Sequence, residues 1–453
     1  MRNKFILVST IIMLVSLAAC NKAPTPPQDD ANTTADSATQ PPPPAAANAQ
    51  PANAPATDVA PPQAPDAPQQ PSNGDSAKPS EPIRLTAENH ADKATVKLED
   101  LGLDIDYVLE DMLIIDNTHK LEIGPGVTID MRSSRAGFEV RDDAALVVSG
   151  SETAPVVMKS TNASAWSGIT LHSANKDNAL NHLEITQADG EDDGIIRIHG
   201  RCGLDHVTID GSAKNGVILI NEARFTRFTN NTIKNCKGFP LVLDNNDHLD
   251  KLGDGNTFEN NRPFIRLENS NFVPAPDMVI PRQPLPYYLA QGMRVDGESG
   301  TLTIQPGVEL AIEHDHEIWF GGSIQVKLEG TPEAPIRIHG TIDEADFWNG
   351  VKVDTARPST LSHLTIANAG KDENASLNIR GSANVELAHV TFKANSHRCM
   401  HIDRDAKLKN KGGLSFENCA QGNIFDDRIE ADDDAKKILS DLPVDGIPAE
   451  PQP

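Results

Sequence analysis

Asp193-Gly194-Ile195-Ile196-Arg197-Ile198-His199, Asn215-Gly216-Val217-Ile218-Leu219-Ile220-Asn221 and Gly238-Phe239-Pro240-Leu241-Val242-Leu243-Asp244 are three versions of one segment, recurring every roughly 22 to 25 residues. Each is followed by a second short apolar run: His206-Val207-Thr208-Ile209, Asn230-Asn231-Thr232-Ile233 and Gly255-Asn256-Thr257-Phe258. Alternating aliphatics with Gly and Asn at the corners, and no helical stripe, predict short strands joined by tight turns. A constant coil length places equivalent residues above one another, as in a parallel β-helix. The register predicts one interior column of Ile185, Ile209, Ile233 and Phe258 and another of Ile198, Ile220, Leu243 and Leu267.

A longer period overlies this one. Thr301-Leu302-Thr303-Ile304-Gln305-Pro306-Gly307-Val308 repeats Lys120-Leu121-Glu122-Ile123-Gly124-Pro125-Gly126-Val127 at an offset of about 181 residues. The same offset, within a residue, relates Tyr107 to Tyr288, Met112 to Met293, Ala154-Pro155 to Ala334-Pro335, Trp166-Ser167-Gly168 to Trp348-Asn349-Gly350, and His182-Leu183 to His363-Leu364. Leu302 to Val308, Gly330-Thr331-Pro332-Glu333-Ala334-Pro335-Ile336, Trp348-Asn349-Gly350-Val351 and Leu364-Thr365-Ile366-Ala367-Asn368-Ala369-Gly370 together resemble the right-handed, pectate-lyase-like β-helix repeat of bacterial surface and secreted proteins. The expected fold is all-β: a right-handed parallel β-helix in two tandem homologous units, with a disordered N-terminal tether and a short C-terminal capping helix.

The ends carry address rather than fold. Arg2 and Lys4 precede an apolar run and small residues before a cysteine, the form of a secretory signal. The run is shorter than the ~20 residues a membrane-spanning helix needs. Leu17-Ala18-Ala19-Cys20 resembles the lipobox of bacterial lipoproteins, which implies lipidation at Cys20, a membrane partner through that lipid, and a cell-envelope location; with Asn21 next, the implied membrane is the outer one if the cell is Gram-negative. Residues 21–82 are rich in Pro and Ala and nearly free of large apolar side chains, so they predict a solvated linker with a reach on the order of 190 Å. The expected boundaries are 1–20 signal peptide, 21–82 linker, 83–272 first β-helix unit, 273–286 Pro-rich connection, 287–425 second unit, and 426–453 acidic cap and tail. Ile429, Ala435, Ile438, Leu439 and Leu442 are spaced for a short amphipathic cap over the last coil.

The formal net charge of -25 argues against nucleic acid as a partner, because phosphate binding needs a cationic face. Acidic clusters such as Glu191-Asp192-Asp193 leave weak Ca²⁺ binding open; no other cofactor is expected. Cys399 and Cys419 fall about one coil apart and are a disulfide candidate. Asn231, Asn256 and Asn423 in one phase, and Asn235, Asn260 and Asn418 in another, predict asparagine ladders at the corners.

Chemistry is less marked. The register places His172, His199, Asn221, Asp244 and Glu268 on an outward column beside Arg197 and Arg266, and Lys352, Asp354, Asn378, Arg380, His401 and Asp403 on its counterpart. No catalytic residue is favoured. The first expectation is a non-catalytic binding or structural module that presents a rigid surface to a polysaccharide or an envelope protein. The alternative is a carbohydrate-active enzyme, a polysaccharide lyase or glycoside hydrolase acting on acidic polysaccharide, with Asp244, Glu268, Arg266 and His199 as its residues. His314 and His316, in His314-Asp315-His316-Glu317, are a weak metal-site candidate lacking a third ligand.

Overall fold

The computed structural model describes residues 78–89, 94–162, 165–189, 194–244, 249–269, 271–272, 277–371 and 375–428. The signal peptide with Cys20, nearly all of the linker and the capping segment from Ile429 onward lie outside the described residues. What is described is a parallel β-solenoid of about 13 turns, in which every strand pairing is parallel. Among the described residues no helix is long and apolar enough to cross a membrane.

Each coil contributes one residue to each inner column. Ile129, Met158, Ile185, Ile209, Ile233 and Phe258 are successive ladder partners. All but the partly buried Phe258, at the last level, are almost fully buried. β-branched side chains suit this position because neighbours above and below restrict χ1 anyway. The second predicted column needs one correction: Ile198 pairs with Leu219, not Ile220, and the column continues through Leu243, Leu267, Leu289 and Ile312. This coil is shorter by a residue than the assumed spacing, so Leu219 points inward and Ile220 joins a small apolar cluster outside the core.

The duplicated Trp-x-Gly motif is a structural device. Trp166 and Trp348 are fully buried, and their indole N–H groups donate to the Thr186 and Ala367 carbonyls at 3.0 and 2.8 Å. Gly168 (φ +86°) and Gly350 (φ +109°) follow, and a Cβ at either would lie 2.2 or 2.6 Å from a carbonyl oxygen of the next coil. Here only glycine satisfies both the left-handed φ and the close approach. The duplicated His182 and His363 stack on His206 and His389, one coil on, at 4.4 and 4.6 Å between ring centroids. Tyr107 is matched structurally by the equally inward Tyr287 rather than Tyr288, since Tyr107 pairs with Ile129 and Tyr287 with Leu310.

Polar groups at the corners are satisfied by ladders. The Asn231 side-chain oxygen accepts the Val207 N–H at 3.0 Å, Asn256 accepts the Asn231 N–H at 3.1 Å, and Gln283 extends the row. Asn423 is not in this row. Outside, Asn260 donates to Asn235 and Asn235 to Asp210. Asp130 is a buried carboxylate held by Arg132 Nε (2.9 Å), Thr161 N–H (2.9 Å) and Thr161 hydroxyl (2.8 Å). Burial pushes its pKa up, but these hydrogen bonds outweigh burial and hold it below the usual carboxylate range. Its contribution to stability is therefore present above about pH 4 and is lost as pH falls through the lower folded value. Replacing Asp130 by Asn should cost about 1–3 kcal/mol at pH 7. The difference from wild type should shrink in urea titrations at successively lower pH; a difference independent of pH would refute this account.

The two repeats do not stack as separate bodies. In the N-terminal half, the ladder ending in Thr257–Glu259 stops there among the described residues, whereas the neighbouring ladder runs from Ile265–Leu267 directly onto Tyr287–Leu289 and then Glu309–Ile312. By the sequence repeat, Tyr287–Leu289 is the counterpart of Tyr107–Leu109, which belongs to the ladder that stopped. A new ladder begins at Asn271–Phe272, pairing with Met293–Val295. The ladders thus slip by one side of the coil at the junction, and a single sheet passes through it.

Candidate functional site

The continuous sheet turns an unusual face outward. Its mid-strand outward positions run Thr170, Arg197, Ile218, Val242, Arg266 and Tyr288 on successive coils. Ile218, Phe239 and Val242, flanked by Ile220, Phe264 and Tyr288, form an apolar cluster separate from the interior core. Over it lies a cleft of roughly 770 Å³ whose lining includes Arg197, Lys214, Lys237, Arg262 and Arg266, against only two carboxylates, Asp244 and Glu268. A local cationic excess in a chain of net charge -25 needs a local reason.

The cations are held in distinct ways. Arg197 is nearly buried, with its guanidinium bonded to the Thr170 hydroxyl (2.6 and 3.1 Å) and to the Ser167 and Gly194 carbonyls. Arg262 and Arg266 lie 5.1 and 5.3 Å from the Phe239 ring centroid, and Arg266 also lies 5.6 Å from Tyr288. The ring therefore acts less as a platform than as a support that holds two guanidinium planes in place. Among the described residues, Lys237 and Arg262, both exposed, form no ion pair. Tyr288 closes one end by donating to Glu313, and burial together with that bond raises its pKa to about 12.

Of the residues proposed from sequence, Asp244, Glu268 and Arg266 line this cleft together. Both carboxylates have structural partners: Asp244 accepts the Asn221 N–H at 3.0 Å, and Glu268 pairs with Arg266 Nε at 2.5 Å. His199 is not part of the lining; it stacks on His172 at 4.5 Å between centroids. Asn221 lies one residue beyond the outward column, whose place Ile220 takes, following the same one-residue correction as above. Lys214, Lys237 and Arg262 escaped sequence reasoning because they sit at turns, where no period marks them, and Phe239, although inside the repeated segment, carries no sign in sequence that its ring lies outside the core.

The other candidates are dispersed. His314 is engaged by Asp315 (3.0 Å) and by Lys371 Nζ (2.9 Å), an ammonium where a metal would have to sit. Cys399 and Cys419 form a disulfide with Cα atoms 5.5 Å apart, while Cys202 and Cys236 are free and buried, and burial raises both thiol pKa values, that of Cys236 to about 12. Comparison with known proteins yields no family model, curated protein or solved structure that matches this chain.

Proposed function

We propose that this chain is a lipid-anchored cell-envelope protein whose solenoid binds an acidic polysaccharide through the Arg197–Arg266 cleft, without catalysis. The observation that carries this reading is a cleft lined by five cations against two carboxylates, with Lys237 and Arg262 exposed over a supported apolar floor, on an otherwise acidic protein. Lysines and arginines on successive coils match a polymer carrying carboxylates at regular intervals, and guanidinium planes donate to them bidentately. Anchoring at Cys20 and kinship with pectate-lyase-like solenoids are part of the proposal; they rest on Leu17-Ala18-Ala19-Cys20 and on the repeat motifs.

The carbohydrate-active alternative would use the same cleft. Against it stand the two carboxylates, one committed to a turn amide and the other to Arg266, so that neither is positioned as a free acid or base. Affinity of the purified full chain for polygalacturonate, alginate and neutral dextran should separate these outcomes. Binding to the uronates should weaken with salt, and the double variant Lys237→Glu/Arg262→Glu should lose at least about tenfold in affinity, since both side chains are exposed and carry no structural ion pair. Equal binding of dextran, or no effect of the double variant, would sink the reading. Release of sugar fragments abolished by Asp244→Ala would replace it with the enzymatic one.

A further inference from the structure

We propose a second site, for one divalent transition-metal ion, built from His401, Asp403 and Asp427 at the C-terminal end of the described solenoid. The fold brings these three together by two simple periods. His401 is the outward mid-strand residue of Met400–Ile402, in ladder register with Asn378 and Phe425. Asp403 is two residues on, so it shares the outward face. Asp427 repeats the Asp403 position one coil later, and their backbone N–H groups bond to the Ile402 and Ile379 carbonyls respectively.

The imidazole Nε2 lies 3.1 Å from Asp427 Oδ2 and 3.8 Å from Asp403 Oδ1, and the three ligand atoms all lie within 4.8 Å of one another. The cluster is therefore not a solvated acidic loop but a nitrogen donor aimed at two carboxylates from different coils. Asp403 is already oriented, because its other oxygen accepts the Gly381 N–H at 2.9 Å. The Cys399–Cys419 disulfide ties the coil of His401 to the chain that leads into Asp427.

Charge supplies an independent observation. No lysine or arginine among the described residues forms an ion pair with Asp403 or Asp427; Arg398 lies instead over Phe425, at 4.0 Å, and Arg428 pairs with Asp426. Elsewhere on this surface carboxylates are commonly paired with cations, as in Glu317–Lys352 and Asp315–Lys371. Two carboxylates facing one imidazole without such a partner are the donor set of a small cation of borderline softness, one nitrogen and two oxygens, with water completing the shell from the open side. Only a small closure of the side chains is needed to reach the ~2.0–2.2 Å bonds that zinc takes with nitrogen and oxygen. In the corresponding ladder of the N-terminal half, counted from Trp166 and Trp348, Ile218 and Ile220 stand in the places of His401 and Asp403, so the donor set is not repeated there.

The test is calorimetric titration of the chelator-treated full chain with Zn²⁺, with Co²⁺ as a visible-absorption probe of nitrogen ligation. One saturable site is expected, with Zn²⁺ preferred over Ca²⁺, and His401→Ala and Asp427→Asn should each reduce Zn²⁺ affinity at least tenfold and abolish the Co²⁺ band. The metal-free thermal midpoint of each variant reports whether the fold is retained; Asp403→Asn, which keeps the shape and can still accept the Gly381 N–H, serves as the second variant. Zinc affinity unchanged by both His401→Ala and Asp403→Asn, or the absence of a stoichiometric zinc site in wild type, would overturn the proposal.

Discussion

Trp348→Ala should destabilise the solenoid by about 3–5 kcal/mol, the range for emptying a fully buried aromatic position. Two effects combine: the coil loses its largest interior side chain, and the Ala367 carbonyl loses the indole N–H that reaches it from the preceding coil. Trp348→Phe keeps most of the volume and drops only the hydrogen bond, so it should cost about 1–2 kcal/mol. Because each coil touches only its neighbours, the loss should be local. Hydrogen exchange should accelerate in Gly350–Val353 and Leu377–Ile379, which pair with one another, while Gly137–Val140 in the N-terminal half keeps its protection. Uniform acceleration along the chain, or a cost below about 1 kcal/mol, would contradict the role given to Trp348.

Gly168→Ala should be comparably damaging, at about 3 kcal/mol or more, for a different reason. The new Cβ would lie 2.2 Å from the Ile195 carbonyl oxygen, and the backbone φ of +86° is one that L residues rarely adopt. Gly211 separates the two contributions. Its φ is +87°, yet a Cβ there meets nothing within 4 Å, so Gly211→Ala carries the conformational cost alone, about 1–2 kcal/mol. Chemical denaturation of the pair is the measurement. If the two substitutions cost the same, coil-to-coil contact does not explain the glycine of the Trp-x-Gly motif.

The parts legible in the sequence were those set by coil length and side-chain alternation. Ile185, Ile209, Ile233 and Phe258 declared themselves because an aliphatic or aromatic residue recurs at nearly constant spacing between polar neighbours. Ile220 was misplaced because Leu219 and Ile220 are both aliphatic, and composition alone does not say which one points inward when a coil is shorter by a residue. The slip between ladders was marked only by the Pro-rich stretch after Ile265–Leu267, and that stretch is not a mere connection: Asp277–Ile280 within it is a strand in register with Thr301–Ile304, which the prolines hide from a periodicity reading. At the cleft, Asp244, Glu268 and Arg266 were visible as neighbours on successive strands, but their lysine and arginine companions come from turns of differing length. By sequence Asp427 falls in the acidic tail, and only the ladder shows that it repeats the position of Asp403.

The shift of ladders at Asn271–Phe272 also bears on which way repeated motifs face. A sequence repeat stacked in register would display the same motif twice along one side, favouring a single extended footprint. With the offset, positions related by the 181-residue sequence repeat look out in different directions, so contacts made at one need not compete with contacts made at the other for the same approach. Whole coils inserted on either side of the offset should lengthen the solenoid while preserving both orientations.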